Sequence, residues 1–334
     1  MPQGRISMKI IFNKIFLEHE TGDHPENKKR LGTFKDTEET PLTSIDISNI
    51  EEIIRLGHTK EHIERIKKAS EQERNLDPDT ITCKKSFIVA SHAVAATIFA
   101  AKNAMEGQNS FAAIRPPGHH ATRNKAMGFC LFNNVAITAK QLAKQGKKVM
   151  ILDFDCHYGN GTADICYNDP QILYVSTHQY PCYPGSGWVN EIGEGEGKGY
   201  NMCFPLPPGT GDDVFIPIIT EKIKALMEQF KPDIIGVSAG FDAHYSDPIT
   251  QMNLSANSFY EAGKILKGRK IFAALEGGYN TSNLRANAQA FIDGTTGNKC
   301  STDETATITN GRITAEANRR MELLKQELKK WWKI

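Results

Sequence analysis

Val149-Met-Ile-Leu-Asp-Phe-Asp-Cys-His157 decides how the rest of this chain is read. An apolar run that breaks into two aspartates and a histidine describes a strand buried on both faces whose end carries chemistry. The same apolar signature recurs at residues 8–12, 111–114, 172–175, 234–238 and 271–275, with this strand itself at 149–154. Helical patterns at 87–105, 131–144, 215–230, 258–267 and 284–291 lie between those runs. The alternation predicts an α/β fold, a parallel sheet with helices on both faces. No internal repeat or long Pro-, Gly- or Ser-rich linker interrupts it, so one domain is expected across residues 1–334, closed by a charged amphipathic helix at about 313–334 that bears Trp331 and Trp332. That helix is read as docking on the body rather than as a partner-binding element.

The bulk numbers narrow the function classes. An apolar share of 40% in 334 residues is enough for one sizeable core. Forty basic against 39 acidic residues leave a net charge of +1, so no overall field favours nucleic acid or a membrane surface. No run is read as approaching the roughly 18 apolar residues of a membrane span, and no export signal is read at the start, so a cytoplasmic protein is expected. The seven cysteines are scattered and never in a Cys-x-x-Cys pair, and are read as reduced thiols.

Arg115-Pro-Pro-Gly-His-His120, Asp153-Phe-Asp-Cys-His157, Ser238-Ala-Gly-Phe-Asp242 and Glu276-Gly-Gly-Tyr279 each follow directly on a predicted strand. Ligands of open parallel sheets bind beyond the carboxyl ends of the strands, so these tips mark a candidate active site. Asp155 and His157, two apart on an extended segment, project to one side, and Asp242 from a second tip completes three ligands. Three oxygen and nitrogen donors with an open position fit a catalytic zinc, whereas closed structural sites usually contain cysteine. Two carboxylates make the set hard enough for Fe(II), Co(II) or Mn(II) to compete. Asp-x-His by itself would be an ordinary polar turn, and Asp242 is what raises it to a candidate.

His119 and His120 follow Pro116, Pro117 and Gly118, which fix an unusual backbone path, and Asp153 and Asn160 are available to orient the two rings. A ring held by a carboxylate is more basic than one held by an amide, so the histidines need not share a role. A plain hydrogen-bonded loop pair is the alternative. Tyr279, after two glycines, stands on a flexible turn from which its hydroxyl can swing toward a substrate oxygen, or it packs beside that turn.

With Gly128-Phe-Cys-Leu-Phe-Asn-Asn134 and the extension through Gly159-Asn-Gly-Thr162 added, these motifs, in this order and spacing, resemble the histone deacetylase superfamily, which includes acetylpolyamine amidohydrolases and acetoin-utilisation proteins. The likeness runs from His24-Pro-Glu26 to Tyr279, and Arg-Pro-Pro-Gly with Asn160 is similar to the class II and bacterial branch. The resemblance implies an arginase/deacetylase-like fold and zinc-dependent hydrolysis of an acyl-lysine, or of another N-acylated amine such as an acetylpolyamine. It implies that Asp155, His157 and Asp242 hold one zinc, that His119 pairs with Asp153 and His120 with Asn160, and that Tyr279 donates to the oxyanion. In the reaction so implied, His120 takes the proton of the attacking water and returns it to the leaving amine, while His119 tunes charge. Gly128 and Phe129 would line an acyl-chain tunnel with Tyr183, where the family more often has phenylalanine. A structural potassium ion would use Asp153, Asp155, the main-chain oxygen of His157 and Ser176. Polyamine-selective members carry an acidic gatekeeper where this chain has Ile249, so an acyl-lysine is expected to be preferred. An acid reaching the mouth from Glu18, Glu20 or Asp23, with Ile249 packed under its loop, is the alternative.

Two rivals are weighed. A ureohydrolase of the arginase type would need further aspartates for a second metal, and Ala243-His-Tyr-Ser246 after Asp242 offers none. A non-catalytic acyl-lysine binding module would have lost the tyrosine, the histidines or the ligands. Gly193-Glu-Gly-Glu-Gly-Lys-Gly199 lacks the Gly-Lys-Ser/Thr ending of a phosphate loop and is read as an ordinary loop. His58 and His62 are read as a surface pair on one helix face, and the basic clusters at 28–30 and 67–68 as solvated. Arg30 is set apart because it ends a His-Pro-Glu-x-x-x-Arg-Leu pattern that the resemblance places near an internal product exit.

Overall fold

The apolar runs become strands, and in the computed structural model, which describes residues 7–334, those strands are all parallel. They are β1 (Lys9–Ile11), β2 (Ser110–Ala112), β3 (Val149–Asp153), β4 (Ile172–Gln179), β5 (Asn201–Leu206), β6 (Ile234–Ala239) and β7 (Ile271–Leu275), in the sheet order β1-β2-β7-β6-β3-β4-β5. Every residue of β3 to β7 is buried, so both faces of the sheet are covered, as a fully apolar parallel strand requires. β5 was not expected from the sequence. Its Asn201 and Pro205 break the apolar pattern, and a proline is tolerated there because β5 is the edge strand.

The sheet order brings the motif strands together. β2, β7, β6 and β3 are consecutive neighbours, and they are the strands that end in the four chemical motifs. Their register keeps the tips level: Asp153 lies beside both Ser176 and Ser238, and Ser238 beside Ala274.

The helices differ from expectation where local chemistry intervenes. The predicted helix at 131–144 begins at Asn134, because the Asn133 side chain accepts the Ala136 N–H and caps it at 3.0 Å. The predicted helix at 215–230 is two helices, Asp212–Pro217 and Lys224–Phe230, joined by a wider π-helical turn over Ile218–Ile223 beside Pro217. Helix Ser86–Met105 is long and apolar enough to cross a membrane by length and composition, contrary to the sequence reading. Most of it is buried inside the protein, against the helix Asn134–Lys144 and strands β2 and β7. The closing helix spans Gly311–Leu328, packs on β5, and Trp332 Nε1 donates to Gly199 O at 2.6 Å. The glycine-rich stretch that ends at Gly199 is a loop between β4 and β5.

His58 and His62 are not a surface pair. Both are buried and stack at 4.6 Å beside Phe132, and His58 precedes the helix Lys60–Gln72 rather than lying on it. His58 Nε2 accepts Asn133 N–H at 2.9 Å and its Nδ1 donates to Thr122 O at 2.8 Å, so the ring is neutral and braces the segment that leads to Phe129.

Candidate active site

Asp155, His157 and Asp242 come together beyond the tips of β3 and β6, with one donor atom from each lying within 4.8 Å of the others. His157 Nδ1 is 3.2 Å from Asp155 Oδ1 and 3.0 Å from Asp242 Oδ2. The far oxygens of both carboxylates are pinned by main chain: Gly277 N–H donates to Asp155 Oδ2 at 2.7 Å, and Cys156 N–H to Asp242 Oδ1 at 2.8 Å. Gly277 has to be glycine here, because a Cβ would collide with both carboxylates. Burial opposes charge on all three groups, but the electrostatics sort them. His119 and His157 hold the Asp155 carboxyl well below its ordinary range, while burial and the charge of Asp155 raise that of Asp242. Burial would lower the pKa of His157, yet its hydrogen bonds to Asp155 and Asp242 carry it well above 6.5, so positive charge is favoured between the carboxylates. A divalent cation fits the same place. The donors are two buried carboxylates and one imidazole, already converged and fixed from behind.

The two histidines are held differently. His119 Nδ1 donates to Asp153 Oδ2 at 3.1 Å, and Asp153 is itself braced by the Tyr174 hydroxyl at 2.9 Å. Burial disfavours charge on His119, but Asp155 and Asp153 outweigh it and carry its pKa up to about 10. His120 Nδ1 donates to Asn160 Oδ1 at 2.8 Å, an amide that supplies no charge. Burial, and then the charges of His119 and His157, push the pKa of His120 well down. The surroundings therefore favour the protonated form of His119 and the neutral form of His120. Glu276 fixes the histidine loop by accepting Gly118 N–H at 2.6 Å and His119 N–H at 3.2 Å.

A cavity of about 200 Å³ opens over this group, lined by His119, His120, Gly128, Phe129, His157, Tyr183, Ile249 and Tyr279, with Pro117, Gly277 and Asp79. Gly128 and Phe129 both adopt left-handed backbone (φ 55° and 69°), a conformation that costs a non-glycine residue about 1–3 kcal/mol and is kept where a site requires it. A Cβ on Gly128 would stand 2.5 Å from the His120 ring, so only glycine lets the wall come this close. Tyr183 packs edge-on to His120 at 5.0 Å and faces solvent on its other side. Ile249 is 40% exposed at the rim, not packed under its loop. Glu18 and Glu20 pair instead with Lys85 and Lys28, and the carboxylate on the cavity wall is that of Asp79. Ser176 lies beside Asp153, and its hydroxyl donates to His178 Nδ1 at 2.9 Å, leaving the oxygen lone pairs for another ligand.

The Tyr279 turn is tied down rather than flexible. Its N–H donates to Asp247 Oδ2 at 2.7 Å, while Asp247 Oδ1 accepts Ile249 N–H at 3.1 Å. Arg30 is buried, donates to Gly278 O at 2.7 Å and to Glu276 O, and lies 5.0 Å from the Tyr279 ring centre. Beneath it, Glu26 joins Arg30 (3.0 Å) to Arg115 (2.5 and 2.7 Å) in a buried ion-pair cluster. Sequence reasoning missed Asp79, Asp247 and this cluster. The spacing of Glu26 and Arg30, four apart, was the available signal.

This chain belongs to the histone deacetylase family: the histone deacetylase domain matches residues 24–295. A probable deacetylase of Archaeoglobus fulgidus is 40% identical over 292 residues, 81% of each chain. Histone deacetylase 14, chloroplastic, of Arabidopsis thaliana is 34% identical over 305 residues, 80% of this chain and 72% of that protein. The crystal structure of the HDA15 HD domain is similar with a TM-score of 0.85 at 28% identity, covering 97% of both chains. The family and its fold make this protein a hydrolase of the deacetylase type.

Proposed function

We propose that the chain is a zinc-dependent deacylase that cleaves the amide of an acyl-lysine, or of a similar N-acylated amine, to a carboxylate and a free amine. The observation that carries this reading is the converged Asp155, His157 and Asp242 set, which shares a cavity with a neutral histidine and a tyrosine. Asp155, His157 and Asp242 would hold a divalent ion, which when bound would supply Lewis acidity toward the amide carbonyl and would lower the pKa of a water.

The chain's own groups do the rest. His120 is neutral, and with Nδ1–H committed to Asn160 its Nε2 accepts the proton of the water and delivers it to the departing amine nitrogen. His119, whose pKa the charges of Asp155 and Asp153 carry up to about 10, serves as a positive charge instead of a base. Burial pushes the Tyr279 hydroxyl well above its ordinary pKa, so it stays protonated and donates to the developing oxyanion, a contact worth about 3–4 kcal/mol in comparable sites. Gly128, Phe129 and Tyr183 enclose the acyl-bearing stem. A potassium ion on Asp153, Asp155, the His157 main-chain oxygen and Ser176 belongs to the same proposal, supported by the adjacency of Asp153 and Ser176. The unpaired cysteines suit a reducing compartment such as the cytoplasm.

Ile249 at the rim supports an acyl-lysine as the substrate, and Asp79 on the cavity wall favours a second reading, a cationic acetylpolyamine. The test is metal analysis and hydrolysis of acetyl-lysine peptides and acetylpolyamines by native protein, Asp242→Asn and His157→Ala. Both variants are expected to lose bound metal and activity together. A variant that kept full metal content and rate would overturn the ligand set, and a native protein loaded with iron or cobalt in preference to zinc would correct the metal.

A further inference from the structure

Beside the cavity lies a second concave feature that the proposed reaction does not use. Two depressions of about 280 and 310 Å³ share Arg65 and Leu76 and therefore form one groove. One wall is the second half of the helix Lys60–Gln72 and the chain that follows it, and the other is the segment Asn124, Lys125 and Ala126. Arg65 Nη1 reaches across to Asn124 O at 3.4 Å. Along the chain each wall is followed within a few residues by the active-site cavity, the first from Leu76 to Asp79 and the second from Ala126 to Gly128 and Phe129. The groove is thus continuous in chain with the rim that admits the substrate.

Its charge is one-sided. Arg65, Lys68, Arg74 and Lys125 line it, and no acidic side chain does. On a chain of net charge +1 this is a local excess, and none of the four forms an ion pair among the described residues. Cations near a helix C-terminus complement the helix dipole, which accounts for Arg74 just beyond the Glu73 cap but not for Lys68, which lies before the last turn. It does not account for Arg65 in mid-helix or for Lys125, which arrives from a different segment.

We propose that this groove binds acidic residues of the polypeptide that flanks the acylated lysine, so that the enzyme selects acyl-lysines set among Asp and Glu. The inference rests on the acyl-lysine reading above. Charge complementarity chooses the occupant, and the half-buried Leu76, common to both depressions, gives the groove apolar surface for a peptide stem. A cationic acetylpolyamine is repelled by the same side chains. Each rim pair contributes about 0.2–1 kcal/mol, so two or three contacts amount to about a tenfold preference at low ionic strength, which salt then screens.

The experiment compares kcat/KM at low and high salt for three acetyl-lysine peptides of equal length with acidic, neutral or basic flanks, and for a flankless acetyl-lysine amide. Native protein and Lys68→Glu/Arg74→Glu are measured side by side. The expected result is about a tenfold preference for the acidic peptide, carried in KM, weakened by salt and lost in the double variant, with the flankless amide cleaved equally by both. Equal kcat/KM across the flanks, or a preference that survives the double variant, would overturn the groove assignment while leaving the deacylase reading intact. No cleavage of any substrate by metal-loaded native protein would remove the deacylase reading and this inference with it. Displacement of a labelled acidic peptide by a short single-stranded oligonucleotide at lower concentration than by the unlabelled peptide would reassign the groove to nucleic acid.

Discussion

Asp247→Asn probes how Tyr279 is held. The carboxylate accepts Tyr279 N–H on one oxygen at 2.7 Å and Ile249 N–H on the other at 3.1 Å, and its side chain is buried. An asparagine keeps one acceptor but turns an N–H against the second backbone N–H, so one hydrogen bond is lost to a donor–donor contact. Burial and the charge of Asp242 raise the Asp247 carboxyl to about 7, so the comparison is made above that pH, where the group is ionised and a bond to a charged acceptor contributes about 1.5–3 kcal/mol. Arg30 still grips Gly278 O and lies along the Tyr279 ring, so part of the geometry survives. We expect loss of about 1.5 kcal/mol out of the roughly 3–4 kcal/mol available to the tyrosine contact, a tenfold fall in kcat. KM and bound metal should stay within about twofold. The assay is steady-state hydrolysis of an acetyl-lysine peptide by the single variant, Tyr279→Phe and the double variant at equal metal content. If Asp247 acts through Tyr279, the double variant should match Tyr279→Phe within about twofold. A further full tenfold loss in the double variant would refute the reasoning and give Asp247 a merely structural place.

Tyr279→Phe itself should lower kcat by about 10²–10³ with KM little changed, and a loss confined to KM would make the tyrosine a binding residue instead. Glu26→Gln should destabilise the protein by about 3–5 kcal/mol at pH 7 in urea unfolding, because it strands Arg30 and Arg115 in a buried setting. Burial alone would raise the Glu26 carboxyl, but Arg115 and then Arg30 outweigh it and hold it at about 2. Its folded value lies below the ordinary 4.5, so its stabilising contribution is present above pH 4.5 and is lost as pH falls toward 2. A Gln variant with native stability at pH 7 would show the cluster to be dispensable. Ile249→Glu should raise kcat/KM on acetylspermidine about tenfold relative to an acetyl-lysine peptide, since a carboxylate at the rim offsets desolvation of the substrate ammonium. A native preference for the polyamine, or an unchanged ratio, contradicts the expectation.

What the sequence made legible follows from where the information is local. β3, β6 and β7 were readable because strands covered on both faces must be apolar throughout, and each breaks into polar chemistry at its tip. The helix Lys60–Gln72 was not, since it buries only a narrow stripe including Ile63 and Ile66 beneath a charged surface. The convergence of the candidate ligands was legible through Asp155 and His157, two apart, with Asp242 at another strand end. The pairing of Glu26 with Arg115 spans 89 residues and has no local period to betray it. His58 and His62 show the same limit, for their spacing suits an exposed helix face and only the packing of Phe132 reveals a buried stack. Asp79 was invisible as a wall residue because the loop that carries it folds back to the cavity mouth.

The closing helix has a consequence for the chain's solution behaviour. A parallel sheet ends in two rows of unpaired peptide groups, and each row is a template for another copy of the chain. At one end β1 presents only three described residues, too short a template to recruit a partner strand. At the other end β5 is six residues long and fully buried, and the helix Gly311–Leu328 lies against it with Ala317, Leu324 and Leu328 packed inward. The helix lies beyond the span of the family domain and contributes nothing to the cavity wall. Arg320 on the same helix donates to Tyr180 O at 2.6 Å, three residues before Tyr183 on the cavity wall, so removing the helix is expected both to uncover the long edge and to loosen that wall, with aggregation and slower turnover as the two measurable signs.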